Sequence, residues 1–178
     1  VWFDYFVLSD TDDPAVAAVE EKLADAWARE IGEPARLTYR RRSDNAGFKA
    51  GNLRDFCEHW GERYELMLPL DADSVMTGET ILRLARMMQA HPKLGILQSL
   101  VVGMPSRSAF ARIFQFGMRH GMRPYTMGPA WWIGDCGPFW GHNALVRIQP
   151  FAQHCHLPVL PGKPPLGGHI LSHDQVEA

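Results

Sequence analysis

Apolar positions along the chain alternate between two rhythms, short aromatic and β-branched runs and longer stretches with apolar residues three or four apart. Trp2 to Leu8 predicts a strand, closed by the acidic turn Ser9-Asp10-Thr11-Asp12-Asp13. Pro14 suits a first helical position, and Val16, Val19, Leu23 and Ala26/Trp27 predict a helix running to Gly32. Arg36 to Arg40 predicts a second strand. Leu53, Phe56, Cys57 and Trp60 predict a second helix, opened by the loop Ser43 to Asn52 and starting after Gly51. Leu66-Met67-Leu68-Pro69-Leu70 predicts a buried strand stopped by Asp71-Ala72-Asp73-Ser74. Ile81, Leu84/Ala85 and Met88 then predict a helix, and Ile96 to Val102 a strand. This alternation predicts an α/β fold with parallel strands, helices on both faces of the sheet, and ligands beyond the carboxyl ends of the strands.

After Pro105 the rhythm changes to a helix around Phe110 to Met118, a Gly/Pro/Trp-rich stretch from Gly121 to Gly141, and a short strand Ala144 to Arg147. These are expected to be substrate-facing insertions. From Leu157 to Gly168 the residues Pro158, Pro161, Gly162, Pro164, Pro165, Gly167 and Gly168 exclude regular structure and suggest a loop beside a site.

Composition narrows the class. With 178 residues, 46% apolar and 21% charged, the chain suits one globular domain and is neither disordered nor a membrane span. Eighteen Lys and Arg against 20 Asp and Glu give a net charge of −2, so no basic field is present to hold a nucleic-acid backbone. Cys57, Cys136 and Cys155 show no zinc spacing and read as reduced thiols in a cytosolic setting. No apolar run approaches the ~20 residues a membrane helix needs. The start at Val1, directly in an apolar run and without methionine, suggests a segment of a longer protein.

Five features carry candidate chemistry. Asp71 and Asp73, one residue apart at a strand end, can turn toward one divalent cation that also binds phosphate oxygens; a solvated acidic turn is the alternative. Arg40-Arg41-Arg42 with Lys49-Ala50-Gly51-Asn52 reads as a phosphate-binding loop, with Lys49 as the point charge, or as a flexible basic loop. Asp10 ends the first strand, where a carboxylate can accept from a base or a ribose, or simply cap a turn. Ser172-His173-Asp174-Gln175 matches a capping box and sets Asp174 in the first turn of a helix, a place that keeps a carboxylate ionised. In Gly137-Pro138-Phe139-Trp140-Gly141-His142-Asn143-Ala144 a tryptophan between glycines is either a sugar-stacking ring or a core plug. His59, His91, His120, His154 and His156 read as surface or satisfied residues.

The ordered set resembles the family 2 glycosyltransferases of GT-A fold, the processive group that includes cellulose synthases. Its carriers are Leu8-Ser9-Asp10, Lys49-Ala50-Gly51-Asn52, Asp71-Ala72-Asp73 and, where that family has a Thr-Glu-Asp motif, Ser172-His173-Asp174. Leu70 to Gly78, Trp140 to Ala144 and Ile170 to Ala178 are similar in particular to the members that build osmoregulated periplasmic glucans in Gram-negative bacteria. The resemblance runs from Val1 to Ala178. It implies a Rossmann-like, mostly parallel sheet with helices on both faces, in a single partial catalytic domain over residues 1–178. The family's first strand and its Gln-x-x-Arg-Trp region would lie outside this chain, which leaves activity in isolation open.

By the same resemblance Asp10 contacts the uridine, Lys49 the diphosphate, Asp71 the nucleotide and a magnesium or manganese ion, and Asp73 that ion. Asp174 is the implied base, with Trp140, His142, Asn143 and His173 on the acceptor side. The implied reaction moves glucose from UDP-glucose to a growing β-glucan with inversion. Membrane residence, at the cytoplasmic face of the inner membrane, would come from parts of the parent protein absent here, the fragment itself being soluble. Two other readings stand beside this one. Asp71 and Asp73 also fit the opening motif of haloacid-dehalogenase-like phosphatases, with Asp135 as a later metal acid, and a nucleotide-sugar-binding module without catalysis would keep the same donor residues.

Overall fold

The computed structural model describes residues 2–134, 136–164 and 166–177, so Asp135 and Pro165 lie outside the described residues. It is a mixed α/β structure with small sheets, in two compact units. The first comprises Val1–Phe56 and Pro158–Leu171, the second Cys57–Leu157 and Ser172–Ala178.

In the first unit β1 (Tyr5–Ser9) pairs in parallel with β2 (Leu37–Arg41), from Tyr5 opposite Leu37 to Ser9 opposite Arg41. The connection is α1 (Pro14–Ile31), as a parallel pair requires. Its ends follow from local chemistry: the Asp13 carboxylate accepts from the Ala15 N–H at 2.7 Å, Pro14 opens the first turn, and Gly32 closes the helix at a left-handed φ of 74°. Ala17 and Ala24 are its buried residues, and the Trp27 ring lies 5.1 Å from that of Tyr5. Phe6 meets Phe56 edge to face at 4.9 Å. The segment after Pro158 is irregular apart from an isolated bridge between Leu160 and Gly168.

α2 (Phe48–Trp60) begins in the first unit and ends in the second. It starts four residues before the expected position, so Lys49 and Gly51 are helical rather than part of a loop. A Cβ on Gly51 would sit 1.9 Å from the Ala46 carbonyl oxygen, so only glycine lets the preceding turn fold back so closely.

In the second unit β3 (Leu66–Met67) and β4 (Ile96–Gln98) flank β5 (Ala144–Arg147), and both pair with it antiparallel. The expectation of parallel strands therefore holds for β1 and β2 and fails at β5. β3 and β4 still run the same way; the reversed strand is β5, which alternation of apolar runs gave no means to orient. α3 (Gly78–Ala90), capped by the Thr77 hydroxyl, turns Leu84, Ala85 and Met88 onto Leu145. Met88 and Val146 are fully buried, a stabilisation of about 1.5–3 kcal/mol each. Arg147 ties the layer together through hydrogen bonds from its guanidinium to the carbonyls of Met88 and Leu94. β3 and β4 are shorter than expected, since Leu68 to Leu70 and Ser99 to Val102 leave the ladder.

The stretch expected to break after Met118 is instead one helix, α4 (Ala109–Ile133), which runs through Pro124 and Pro129. Proline removes one helical hydrogen bond but does not forbid the helical φ, so the carbonyls of His120 and Tyr125 lose their partners while the helix continues. Arg112, Arg119 and Arg123 fall on one side of it, and no residue of α4 is buried. α5 (Ile148–His154), which periodicity did not announce, buries Ile148 and Phe151. α6 (Asp174–Glu177) closes the described chain.

The three thiols are free. Burial, with the charges of Glu58 and Glu177, pushes the Cys57 thiol up to about 11 from its ordinary 9.0. Burial and Glu177 also raise Cys155, whereas Cys136 is exposed. At pH 8 a disulfide reagent should therefore label Cys136 first and Cys57 last, the order being read by mass spectrometry of quenched samples. Because the folded thiol holds its proton longer than the unfolded one, its contribution to stability is complete below pH 9 and is lost between pH 9 and about 11.

Candidate active site

Asp10 and Lys49 belong to the first unit. Arg42 holds both Asp10 carboxylate oxygens, from Nε at 2.7 Å and Nη2 at 2.6 Å, and Nη2 also donates to the Phe48 carbonyl at 3.0 Å. One guanidinium thus links the end of β1 to the first turn of α2, where Lys49 follows Phe48. Asn52 reinforces the link, donating to the Leu8 carbonyl at 3.1 Å and accepting from Arg40 at 2.7 Å. Arg40 also pairs with Asp55 at 2.8 Å, and Arg41 donates to the Thr11 carbonyl at 2.8 Å. The three arginines expected to form a phosphate loop therefore spend donors on the protein itself, because Asp10 and Asp55 lie within their reach.

The remaining candidates belong to the second unit. Asp71 and Asp73 follow β3 in a tight turn closed by the Ser74 N–H on the Asp71 carbonyl at 2.9 Å. Asp71 is half-buried and Asp73 exposed. Among the described residues no three His, Cys, Asp or Glu side chains converge to hold a metal. Two carboxylates on one turn nevertheless suit magnesium or manganese, which commonly take one or two protein carboxylates and complete their shell with phosphate oxygens and water.

The turn Trp140 to Asn143 runs between this strand end and Asp174. Its shape is set by Gly141 at φ 72° and Asn143 at φ 52°. Asn143 N–H donates to the Pro69 carbonyl at 2.9 Å, tying the turn to the chain just before Asp71. His142 places Nε2 3.8 Å from an Asp71 oxygen while its Nδ1 bonds the Asn143 amide oxygen at 2.6 Å. From β4, Gln98 accepts from the Trp140 N–H at 3.0 Å and donates to the His142 carbonyl at 3.1 Å, and the Ser99 hydroxyl donates to the Asn143 carbonyl at 2.6 Å.

On the other side of the turn a Cβ built on Gly141 would lie 3.3 Å from His173 Cε1 and 3.4 Å from Asp174 Cβ. α6 begins one residue later than the capping box implied. His173 occupies the cap position, its carbonyl accepting from the Val176 and Glu177 N–H groups at 3.0 Å. Asp174 is half-buried in the first turn, and His173 is buried.

The second unit thus gathers Asp71, His142, Asn143, His173 and Asp174 around one turn, while Asp10 and Lys49 share the Arg42 link in the first. Gln98 and Glu177 were not singled out from the sequence, and Arg42 and Asn52 stood out only as parts of a phosphate-binding loop, not as the groups that hold Asp10 and the Leu8 carbonyl. Gln98 and Arg42 act across 30 to 45 residues, which no local pattern signals. Glu177 stands four residues after His173, and that helical spacing was the available clue.

Residues 66–153 match the family model described as Glycosyl transferase family group 2. Over 176 residues, 99% of the chain, identity is 49% to the glucans biosynthesis glucosyltransferase H of Xylella fastidiosa (strain 9a5c), of which 28% is covered. It is 47% to the protein of that name from Xanthomonas campestris pv. campestris (strain B100), with 27% covered, and 47% to that of Shewanella sp. (strain ANA-3), with 24% covered. The chain spans about a quarter of the length of these relatives. No solved structure matches it.

Proposed function

From a chain that belongs, through residues 66–153, to glycosyl transferase family group 2, we propose the donor site and base of an inverting glucosyltransferase that moves glucose from UDP-glucose to a growing β-glucan in osmoregulated periplasmic glucan synthesis. The observation that carries the reading is the Trp140 to Asn143 turn, with the DxD carboxylate Asp71 at one side and Asp174 at the other. A phosphatase built on Asp71 and Asp73 gives Asp174 no task there.

In this reading Asp174 takes the proton of an acceptor hydroxyl, and the oxygen so freed attacks C1 of the donor from the face opposite UDP. The C1–O bond to the diphosphate breaks as the new bond forms, turning an α-linked donor into a β-glucoside. Lys49 offers its ammonium to the diphosphate, where negative charge grows as UDP leaves. Asp10, held by Arg42 yet with acceptor lone pairs to spare, receives the uridine. Trp140 stacks on a sugar face, and His142, Asn143 and His173 line the acceptor side. A magnesium or manganese ion held by Asp71 and Asp73 would supply Lewis-acid neutralisation of the diphosphate.

The fold proposed with this function is GT-A, a mostly parallel Rossmann-like sheet in one catalytic domain of which residues 1–178 are part. The parallel β1 and β2 and the common direction of β3 and β4 support it. No helix among the described residues is long and apolar enough to cross a membrane, so residence at the cytoplasmic face of the inner membrane is assigned to other parts of the protein. The test is incorporation of radiolabelled glucose from UDP-glucose into glucan by the whole protein in membranes. Label released by a β-glucosidase is the expected result; absence of transfer, or equal transfer from other UDP-sugars, sinks the assignment.

A further inference from the structure

The mechanism leaves one buried acid without a task. Glu177 is 7% exposed and His173 6%, and the imidazole Nδ1 lies 2.7 Å from a Glu177 carboxylate oxygen. Buried carboxylates are costly unless they are paired, so this contact fixes both side chains. The Cys155 thiol adds a hydrogen bond to the Glu177 carbonyl at 3.4 Å, which anchors the end of α6 to the segment after α5.

With Nδ1–H committed to Glu177, the imidazole has one orientation, and the edge carrying Cε1 and Nε2 faces Gly141. His173 is also the cap residue of α6, its carbonyl accepting the Val176 and Glu177 N–H groups. The side-chain bond and these backbone bonds close on the same residues, 173 and 177. Between them stands Asp174, whose Cβ packs on the same glycine.

We propose that Glu177 is the positioning residue for the base: by holding His173 it fixes the first turn of α6 and so aims the Asp174 carboxylate across the Gly141 turn. This rests on the transferase reading, in which Asp174 takes the proton. The carboxylate makes no donor contact in that reading, so its loss should lower turnover and spare UDP-glucose affinity. A packing role alone would not separate the two.

The test compares Glu177→Met and Glu177→Gln in the whole protein, measuring kcat for glucan formation and, separately, calorimetric binding of UDP-glucose. Both side chains fill the space, but glutamine keeps an oxygen to accept from Nδ1–H and methionine does not. The methionine variant should lose about tenfold to a hundredfold in kcat, as removal of an orienting partner does elsewhere. The glutamine variant should recover most of that loss, and both should bind UDP-glucose within about twofold of wild type. If methionine is not tolerated in the fold, Glu177→Ala carries the same comparison. Full activity without the acceptor oxygen, equal failure of the methionine and glutamine variants, or loss of donor affinity in step with kcat overturns the role of Glu177. An active wild type silenced by Asp174→Asn would leave the transferase reading standing in each of those cases, whereas a wild type that moves no glucose removes the transferase reading and this inference together.

Discussion

Asp174→Asn is expected to cut glucose transfer by about a hundredfold to ten-thousandfold, the range a positioned general base contributes, while UDP-glucose still binds. Asparagine has nearly the volume of aspartate and keeps the first turn of α6 intact, but its amide cannot take the acceptor proton. The structural cost is confined to a lost carboxylate near a helix N-terminus, about 0.3–1 kcal/mol, too little to unfold the protein. Transfer kinetics and calorimetric donor titration, run on the same preparation, separate the two effects. Transfer above a tenth of wild type would mean that some other group accepts the proton, and parallel loss of donor binding would mean that Asp174 belongs to the donor site.

The second large effect concerns Asp73. Its side chain is exposed, so Asp73→Asn should change stability by no more than about 0.5 kcal/mol, and any functional loss would be a matter of ligands. Titrating UDP-glucose with and without manganese should show an affinity that rises with the metal in wild type. In Asp73→Asn that metal-dependent part should be lost, since one of two anionic ligands has become a neutral amide. Metal-independent binding, reported by the titration without manganese, should survive on Lys49 and Asp10. A wild type indifferent to manganese, or a variant that responds to it normally, would detach the DxD from any cation.

Both effects concern residues that were visible as candidates in the sequence, and the reason is local. Asp71-Ala72-Asp73, Trp140-Gly141-His142-Asn143 and Ser172-His173-Asp174 each place unusual chemistry within a few residues. The same holds for much of the fold: Asp13, Pro14 and Gly32 bound α1 by capping and left-handed geometry alone, and Ala144–Arg147 is the strand its apolar run announced. What depends on distant partners was not legible. The direction of β5 is set by pairing with β3 and β4, and β4 stops at Gln98, after which the Ser99 hydroxyl also takes the Asn143 carbonyl. In α4 the prolines pointed to a break that the backbone does not make. Arg42, which holds Asp10, looked like a ligand-binding cation, because nothing within a few residues of it reveals the carboxylate 32 positions earlier.

The turn from Trp140 to Asn143 has a thermodynamic side. Two of its residues already occupy left-handed conformations, and Gln98, Ser99 and the Pro69 carbonyl hold the Trp140 and Asn143 N–H groups and the His142 and Asn143 carbonyls. Fixing a flexible segment at the moment of binding costs about 1–2 kcal/mol of backbone entropy for each residue ordered. Here that loss is incurred once, when the chain folds, and is not repeated each time a sugar arrives. On the proposed reading, a sugar that stacks on Trp140 would meet a turn already ordered, so its contact energy would not be offset by the cost of ordering the loop.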